Sequence, residues 1–256
     1  MTVALLKTGS REGGVGLLTL TRPDQLNALS TAMADELEKG VAALAADPAI
    51  RVLVVAGEGK AFCAGADIAE FGALGSPEEF SAFLARLTGP LRLLADCPKP
   101  SVAALHGVAL GGGLELALSC DLRVAEEGTR LGLPEIKLGL LPGATGTARL
   151  PREVPAAVAR QMLLTGEPIT AIDAHRLGLV ASVVPPGHAL EAALALAGSL
   201  AALSAPALSA AKALLAAGPS LTLDEAVQRE RRTVADLFGT DEARQGIAAF
   251  LARRAR

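Results

Sequence analysis

Three short stretches hold residues whose types and spacing can do chemistry. GVALGGGLEL, residues 107–116, sets three consecutive glycines one residue before Glu115 in an otherwise apolar run. Consecutive glycines after a strand let the backbone turn sharply and leave its N–H groups open to close approach. The GLELALSC that follows reads as a helix, so those N–H groups sit at a positive helix end suited to a developing negative charge. KAFCAGADI, residues 60–68, offers a second glycine-bearing turn among small residues, so a hole with two backbone donors can be built. LGLPEIKLGLLPGATGTARLPR, residues 131–152, places Glu135 after a proline among apolar neighbours, where burial raises a carboxyl pKa and keeps the proton on. Two backbone donors and two carboxylates together suit stabilising an enolate, moving a proton and activating water. Each piece also has a plain use. The glycines can make a packing corner, Glu115 can complement a helix dipole, and Glu135 can be a surface carboxylate.

Other chemistries fit poorly. Neither GVALGGG nor GEGKAF satisfies a dinucleotide or P-loop spacing, and PGATGTA lacks a preceding strand. His106, His175 and His188 show no triad or ligand spacing. Cys63, Cys97 and Cys120 lie far apart, which argues against a zinc site and a disulfide scaffold and for a reducing cytoplasm. Cys63 reads as a small packed thiol and Asp67 as a cap or turn acid.

Positioning these groups needs strands that end at the glycine turns. VGLLTL, RVLVV, SVAALHGVAL, DLRVA and LVASVV read as strands, and TAMADELEKGVAALAAD as a helix capped by Ser30 or Thr31. Residues 69–96 read as a helical segment shaping one end of the pocket. From about Gly187 the signals are helical almost to the end. The expected organisation is an α/β core over residues 1–187 and a helical segment over 188–256, with no long linker between them.

Composition narrows the partners. Of 256 residues, 24 are basic and 27 acidic, and aromatics make up only 2%, so neither a basic footprint nor stacking platforms for nucleic acid are present. No charge falls between Glu191 and Lys212, a length able to span a bilayer, but the stretch is rich in Ala and Ser and broken at Pro206. Two packed helices are expected there, with no membrane span. MTVALLKTGSREGG lacks the build of an export signal.

The stretches quoted above, in that order with TRPDQLNALS before them and LLTGEPITAIDAHRLGLVASVV and GIAAFLARR after them, resemble the crotonase superfamily, most of all an enoyl-CoA hydratase. The resemblance runs nearly end to end. It implies a spiral of ββα units with C-terminal helices that pack in a homotrimer or a dimer of trimers. By motif position it implies an oxyanion hole from the N–H groups of Ala66 and Gly112, and two catalytic acids, Glu115 for the water and Glu135 for the proton at C2. Ala64, Asp67, Ile68 and Gly143 would line the substrate site, and Lys60, Phe250 and Arg253 resemble contacts to coenzyme A. Coenzyme A enters as part of an acyl-CoA thioester substrate, with no metal or other cofactor. Isomerisation, another crotonase reaction or acyl-CoA binding alone are the alternatives. The chain departs from the family pattern at Thr145, where a glycine is more usual, and at Asp24 and Gln25, in a loop that often carries a base.

Overall fold

The computed structural model describes residues 4–254, so the first three residues of the N-terminal stretch lie outside it. In chain order the elements are β1 (Leu6–Arg11), β2 (Val15–Leu20), α1 (Thr31–Ala46), β3 (Val52–Gly57), α2 (Ile68–Phe71), α3 (Pro77–Asp96), β4 (Ser101–Leu105), β5 (Val108–Leu110) and α4 (Gly112–Leu118). There follow β6 (Leu122–Glu126), β7 (Arg130–Gly132), a 3-10 turn (Pro134–Leu138), α5 (Gly146–Glu153), α6 (Ala156–Thr165), β8 (Ile169–Thr170), α7 (Ala171–Arg176) and β9 (Ser182–Val184). The C-terminal region is helical: α8 (Ala189–Ala201), α9 (Ala205–Ala217), α10 (Leu223–Phe238) and α11 (Asp241–Arg254).

Six strands form one sheet in the order β1-β2-β3-β4-β6-β9, parallel except for the β1–β2 hairpin. Strand alternation divides its side chains between two cores. Leu53 and Val55 of β3 face the core that holds Met33, Leu37 and Val41 of α1 and Leu87, Leu91 and Leu94 of α3. Val52, Val54 and Ala56 face the opposite way, toward Ala189, Ala193, Ala197 and Ala201 of α8. Alanine at every fourth position gives α8 a flat stripe, and the helix lies close across β3, β4 and β6. A smaller sheet, β5-β7-β8, sits beside the larger one.

Two sequence expectations need correction. SVAALHGVAL is not one strand: β4 ends at Leu105 in the large sheet and β5 starts at Val108 in the small one. Gly107 makes the break, with φ +60, and a Cβ there would lie 2.0 Å from the Lys60 carbonyl oxygen. Residues 69–96 are not one helix either. α2 stops after four residues, and α3 restarts at Pro77 behind Ser76, whose hydroxyl accepts from Glu79 N–H.

Among the described residues no single helix is long and apolar enough to cross a membrane. α8 and α9 meet at a bend of 108°, where Ser204 caps α9 by accepting from Ala207 N–H.

Candidate active site

The loop after β3 is stitched to β5 before it reaches the glycines. Phe62 N–H donates to His106 O, Cys63 N–H to Val108 O, and Leu110 N–H back to Cys63 O. This register sets Ala66 beside Gly112, since a Cβ on Gly112 would stand 3.4 Å from Ala66 N. Gly112 opens α4, so its N–H has no partner within the helix. Neither amide donates to an acceptor among the described residues.

A second loop holds the first from outside. Ala64 N–H donates to Leu26 O, Leu29 N–H to Gly65 O, and Asp67 N–H to Leu29 O. Leu26 and Asn27 adopt left-handed backbone, φ 49 and 57, unfavourable for a leucine in particular. What holds them there is Asn27, fully buried, whose Nδ2 donates to Glu58 O and Ala61 O while its Oδ1 accepts from Arg22 N–H. Arg22 in turn pairs with Asp67 at 2.9 Å and donates to Ala28 O. Asp67 also caps α2 by accepting from Ala69 N–H. The strained pair is thus fixed by partners on both sides of the hole.

The two glutamates meet opposite surroundings. Glu115, in the first turn of α4, is 3% exposed rather than solvated. Its Oε1 accepts three N–H groups, from Ala144, Thr145 and Gly146, at 3.0, 2.7 and 2.6 Å. These amides lead into α5, so the carboxylate sits at a helix N-terminus and its orientation is set by charge-assisted bonds. Glu135, on the 3-10 turn, is half-buried, and its Oε2 is buried with no hydrogen-bond partner. Burial pushes its pKa up to about 7, opposed in part by a hydrogen bond from its own backbone amide, with the charge of Glu115 adding a smaller upward push. A side chain at Gly111 would strike Glu135 Oε1 at 2.9 Å, which places this acid beside the glycine turn.

Both acids and both amides border one cavity of about 100 Å³. Of the residues singled out in the sequence, Ala64, Ala66, Ile68, Gly112, Glu115, Glu135 and Gly143 line it. Asp67 does not; its carboxylate is taken up by Arg22 and the α2 cap. Lys60 is an exposed turn residue outside the lining. Phe250 and Arg253 are exposed on α11 and are not part of the lining, with the Arg254 guanidinium 5.8 Å from the Phe250 ring. Thr145 contributes its N–H to Glu115, while its buried hydroxyl has no partner.

Most of the cavity wall went unread in the sequence. Phe80, Phe83, Leu84, Leu87 and Leu91 share one face of α3, and Phe71 of α2 packs edge-on against Phe80 at 5.7 Å. The sequence reading gave residues 69–96 only as a helical segment, and a helix face turned to a cavity has the same period as one turned to a core. The Arg22–Asn27 clamp left only a loop signature.

The histidines and Cys63 are occupied structurally. His106, His175 and His188 each approach a backbone carbonyl at 2.9–3.2 Å. Cys63, beside the hole, is buried with its thiol pKa pushed up to about 12, which makes it a poor nucleophile. No three of the described His, Cys, Asp or Glu residues cluster as metal ligands.

The enoyl-CoA hydratase/isomerase family profile matches residues 10–256. A probable enoyl-CoA hydratase of Rhizobium meliloti is 44% identical over 95% of this chain and 93% of its own length. The 2,3-dehydroadipyl-CoA hydratase of Escherichia coli is 43% identical over 96% of this chain and 95% of its own. Among solved structures, an enoyl-CoA hydratase from Bacillus anthracis superposes with a TM-score of 0.94 at 33% identity, covering 98% of this chain and 97% of that one. The glycine turn, the paired acids and the layered α/β core with its helical C-terminal region therefore have one explanation: the chain belongs to the enoyl-CoA hydratase/isomerase family and is an enzyme built on the crotonase fold.

Proposed function

We propose that the protein adds water syn across the double bond of 2-enoyl-CoA thioesters to give 3-hydroxyacyl-CoA. The observation that supports this most directly is the convergence on one cavity of two unpaired amides and two carboxylates in unlike surroundings. The thioester oxygen accepts from the N–H groups of Ala66 and Gly112, which draws electron density from C3. Glu115 takes a proton from water as the water oxygen bonds to C3, and the double-bond electrons move onto the thioester as an enolate. Glu135 then gives its proton to C2 as the enolate collapses. Every step is redox-neutral and every proton has a carboxyl partner, so the route needs no metal or redox cofactor. The names of both curated relatives support hydration.

In this proposal Ala64, Ile68 and Gly143 border the acyl thioester, and exposed Lys60, Phe250 and Arg253 are the contacts offered to the coenzyme A moiety. Hydration of crotonyl-CoA is followed by loss of enoyl absorbance. The rate is expected to fall as pH rises through about 7, because Glu135 must carry its proton to act. Dehydration, the reverse, is expected to fall over the same interval, since the overall reaction takes up no proton and both directions need one proton shared by the Glu115–Glu135 pair. Folding stability shares the sign: Glu135 holds a proton that the unfolded chain has already released between the ordinary carboxyl value and about 7, so stability declines across that window. A hydration rate flat through pH 7 removes Glu135 as donor. No absorbance loss at any pH removes hydration and leaves isomerisation or binding.

We extend the proposal to assembly as a homotrimer or dimer of trimers. No side chain of α9, α10 or α11 is buried, and Leu215, Leu223, Phe238, Phe250 and Leu251 are each more than half exposed. Apolar surface on that scale on consecutive helices needs a cover. Sedimentation is expected to give a mass that is a multiple of three chains; a monomer would refute it. The three cysteines are unpaired thiols, which suits the reducing cytoplasm we assign.

A further inference from the structure

Because the proposed substrate is an acyl-CoA thioester, the cavity must also choose among acyl chains, and its far wall makes that choice. The volume is about 100 Å³, smaller than the roughly 150 Å³ of an apolar cavity that binds benzene. The wall is closed where α3 meets the turn before α5. Leu84 lies so near Gly143 that a Cβ on the glycine would stand 2.7 Å from Leu84 Cδ2 and 2.9 Å from Cδ1. Behind this contact, sharing Leu84 and Gly143 as its floor, runs a separate surface groove bordered by Ser81, Thr88 and Arg92. Among the described residues the only ionisable groups lining the cavity itself are Glu115 and Glu135, both acids, while Phe80, Phe83, Leu87 and Leu91 supply the remaining α3 face.

We propose that this enzyme is selective for short, uncharged 2-enoyl chains, and that Leu84 closed against Gly143 sets the limit. This rests on the hydratase reading above. A longer chain has to displace Leu84 from its contact with Gly143, and one misfitting methylene group in an apolar pocket is typically worth about 10- to 200-fold in specificity. A chain ending in a carboxylate fares worse, because the charge loses its water beside two acids and meets no cation inside the cavity. The Escherichia coli relative named for 2,3-dehydroadipyl-CoA, a substrate with such a carboxylate, is therefore expected to differ from this chain in what it accepts, despite 43% identity.

The test measures kcat/KM for crotonyl-, 2-hexenoyl-, 2-decenoyl- and 2,3-dehydroadipyl-CoA, in the wild type and in Leu84→Ala. Binding of butyryl-, decanoyl- and adipyl-CoA, which cannot be hydrated, is measured by calorimetry alongside. The expected wild-type result is at least a tenfold preference for crotonyl over decenoyl and on the order of 100-fold or more for hexenoyl over the carboxylate-ended thioester. Leu84→Ala, with its circular dichroism unchanged, is expected to narrow the crotonyl-to-decenoyl ratio by about tenfold or more. Equal wild-type rates across chain lengths, comparable turnover of the carboxylate-ended substrate, or a ratio unmoved in folded Leu84→Ala would each overturn the proposal. If Leu84→Ala does not fold, the wild-type series and the saturated thioesters still decide it. Should no thioester be hydrated while the saturated ones keep the predicted ranking, selectivity stands and hydration falls.

Discussion

Glu115→Gln and Glu135→Gln are each expected to lower kcat for crotonyl-CoA hydration by about 10²- to 10⁴-fold, the usual contribution of a positioned general acid or base, with butyryl-CoA affinity nearly unchanged. The two losses have different causes. A glutamine at 115 still presents an oxygen to the amides of Ala144, Thr145 and Gly146, so the turn before α5 keeps its shape. Its other terminal atom becomes an NH₂, which cannot take a proton from water. A glutamine at 135 fits the half-buried site without charge, so it relieves the strain of ionisation while removing the proton that C2 requires. That substitution should also abolish the fall of the residual rate through pH 7. A merely structural Glu115 would leave its glutamine variant near full activity, because the amide preserves the accepting oxygen; turnover within about tenfold of wild type would end its assignment as base. The acids serve one reaction, so the double variant is expected to lose little more than the worse single one.

How much of this site was legible depended on whether the relevant contacts were local. Glycines 111–113 and Glu115 are neighbours in sequence, and one helix start explains both, so their chemistry could be read from ten residues. Strands β2 and β3 and helix α1 were legible for the same reason, through period and a Ser30 cap that does accept from Met33 N–H. β1 was not, because LKTGSR has no apolar alternation; it exists because β2 offers it an antiparallel edge, Leu6 opposite Leu20. The partners of Glu115 are another case. Its three amide donors lie 29–31 residues away on the turn before α5, and no local pattern at Glu115 announces whether it faces them or water. Asn27 is similar: TRPDQLNALS contains it, but its importance comes from left-handed backbone and from carbonyls at positions 58 and 61. The break at Gly107 was hidden because both halves of SVAALHGVAL are sound strands. A left-handed turn at Gly107, packed closely against Lys60 O, separates them into two sheets.

Gly113→Ala tests whether that long-range register makes the oxyanion hole, and its expected cost falls on both folding and rate. A Cβ at 113 would stand 2.2 Å from Cys63 O and 2.8 Å from Cys63 C and Cβ, which are backbone and near-backbone atoms that no rotamer can move away. Every residue of α4 is buried, so the helix cannot slide outward without opening the core around Leu114 and Leu116. The loop must therefore part from β5, and the bond from Leu110 N–H to Cys63 O is the first to strain. Overpacking of this kind typically destabilises by about 1–3 kcal/mol. Ala66 follows Cys63 by three residues, so its N–H moves with the loop, and losing one aligned donor costs about 10²- to 10³-fold in kcat. Denaturant unfolding and kcat on the same preparation separate the two effects. Gly128→Ala is the matched control, because that exposed turn glycine has nothing within 4 Å of the added carbon, and it should change stability by no more than about 0.5 kcal/mol and leave kcat alone. If Gly113→Ala were destabilised yet catalytically normal, the loop would have yielded without moving Ala66, and the stitching of residues 62–63 to β5 would serve the fold and not the hole. Loss of kcat beyond what the unfolded fraction explains would instead tie the glycine triplet to the chemistry through the position of a single amide.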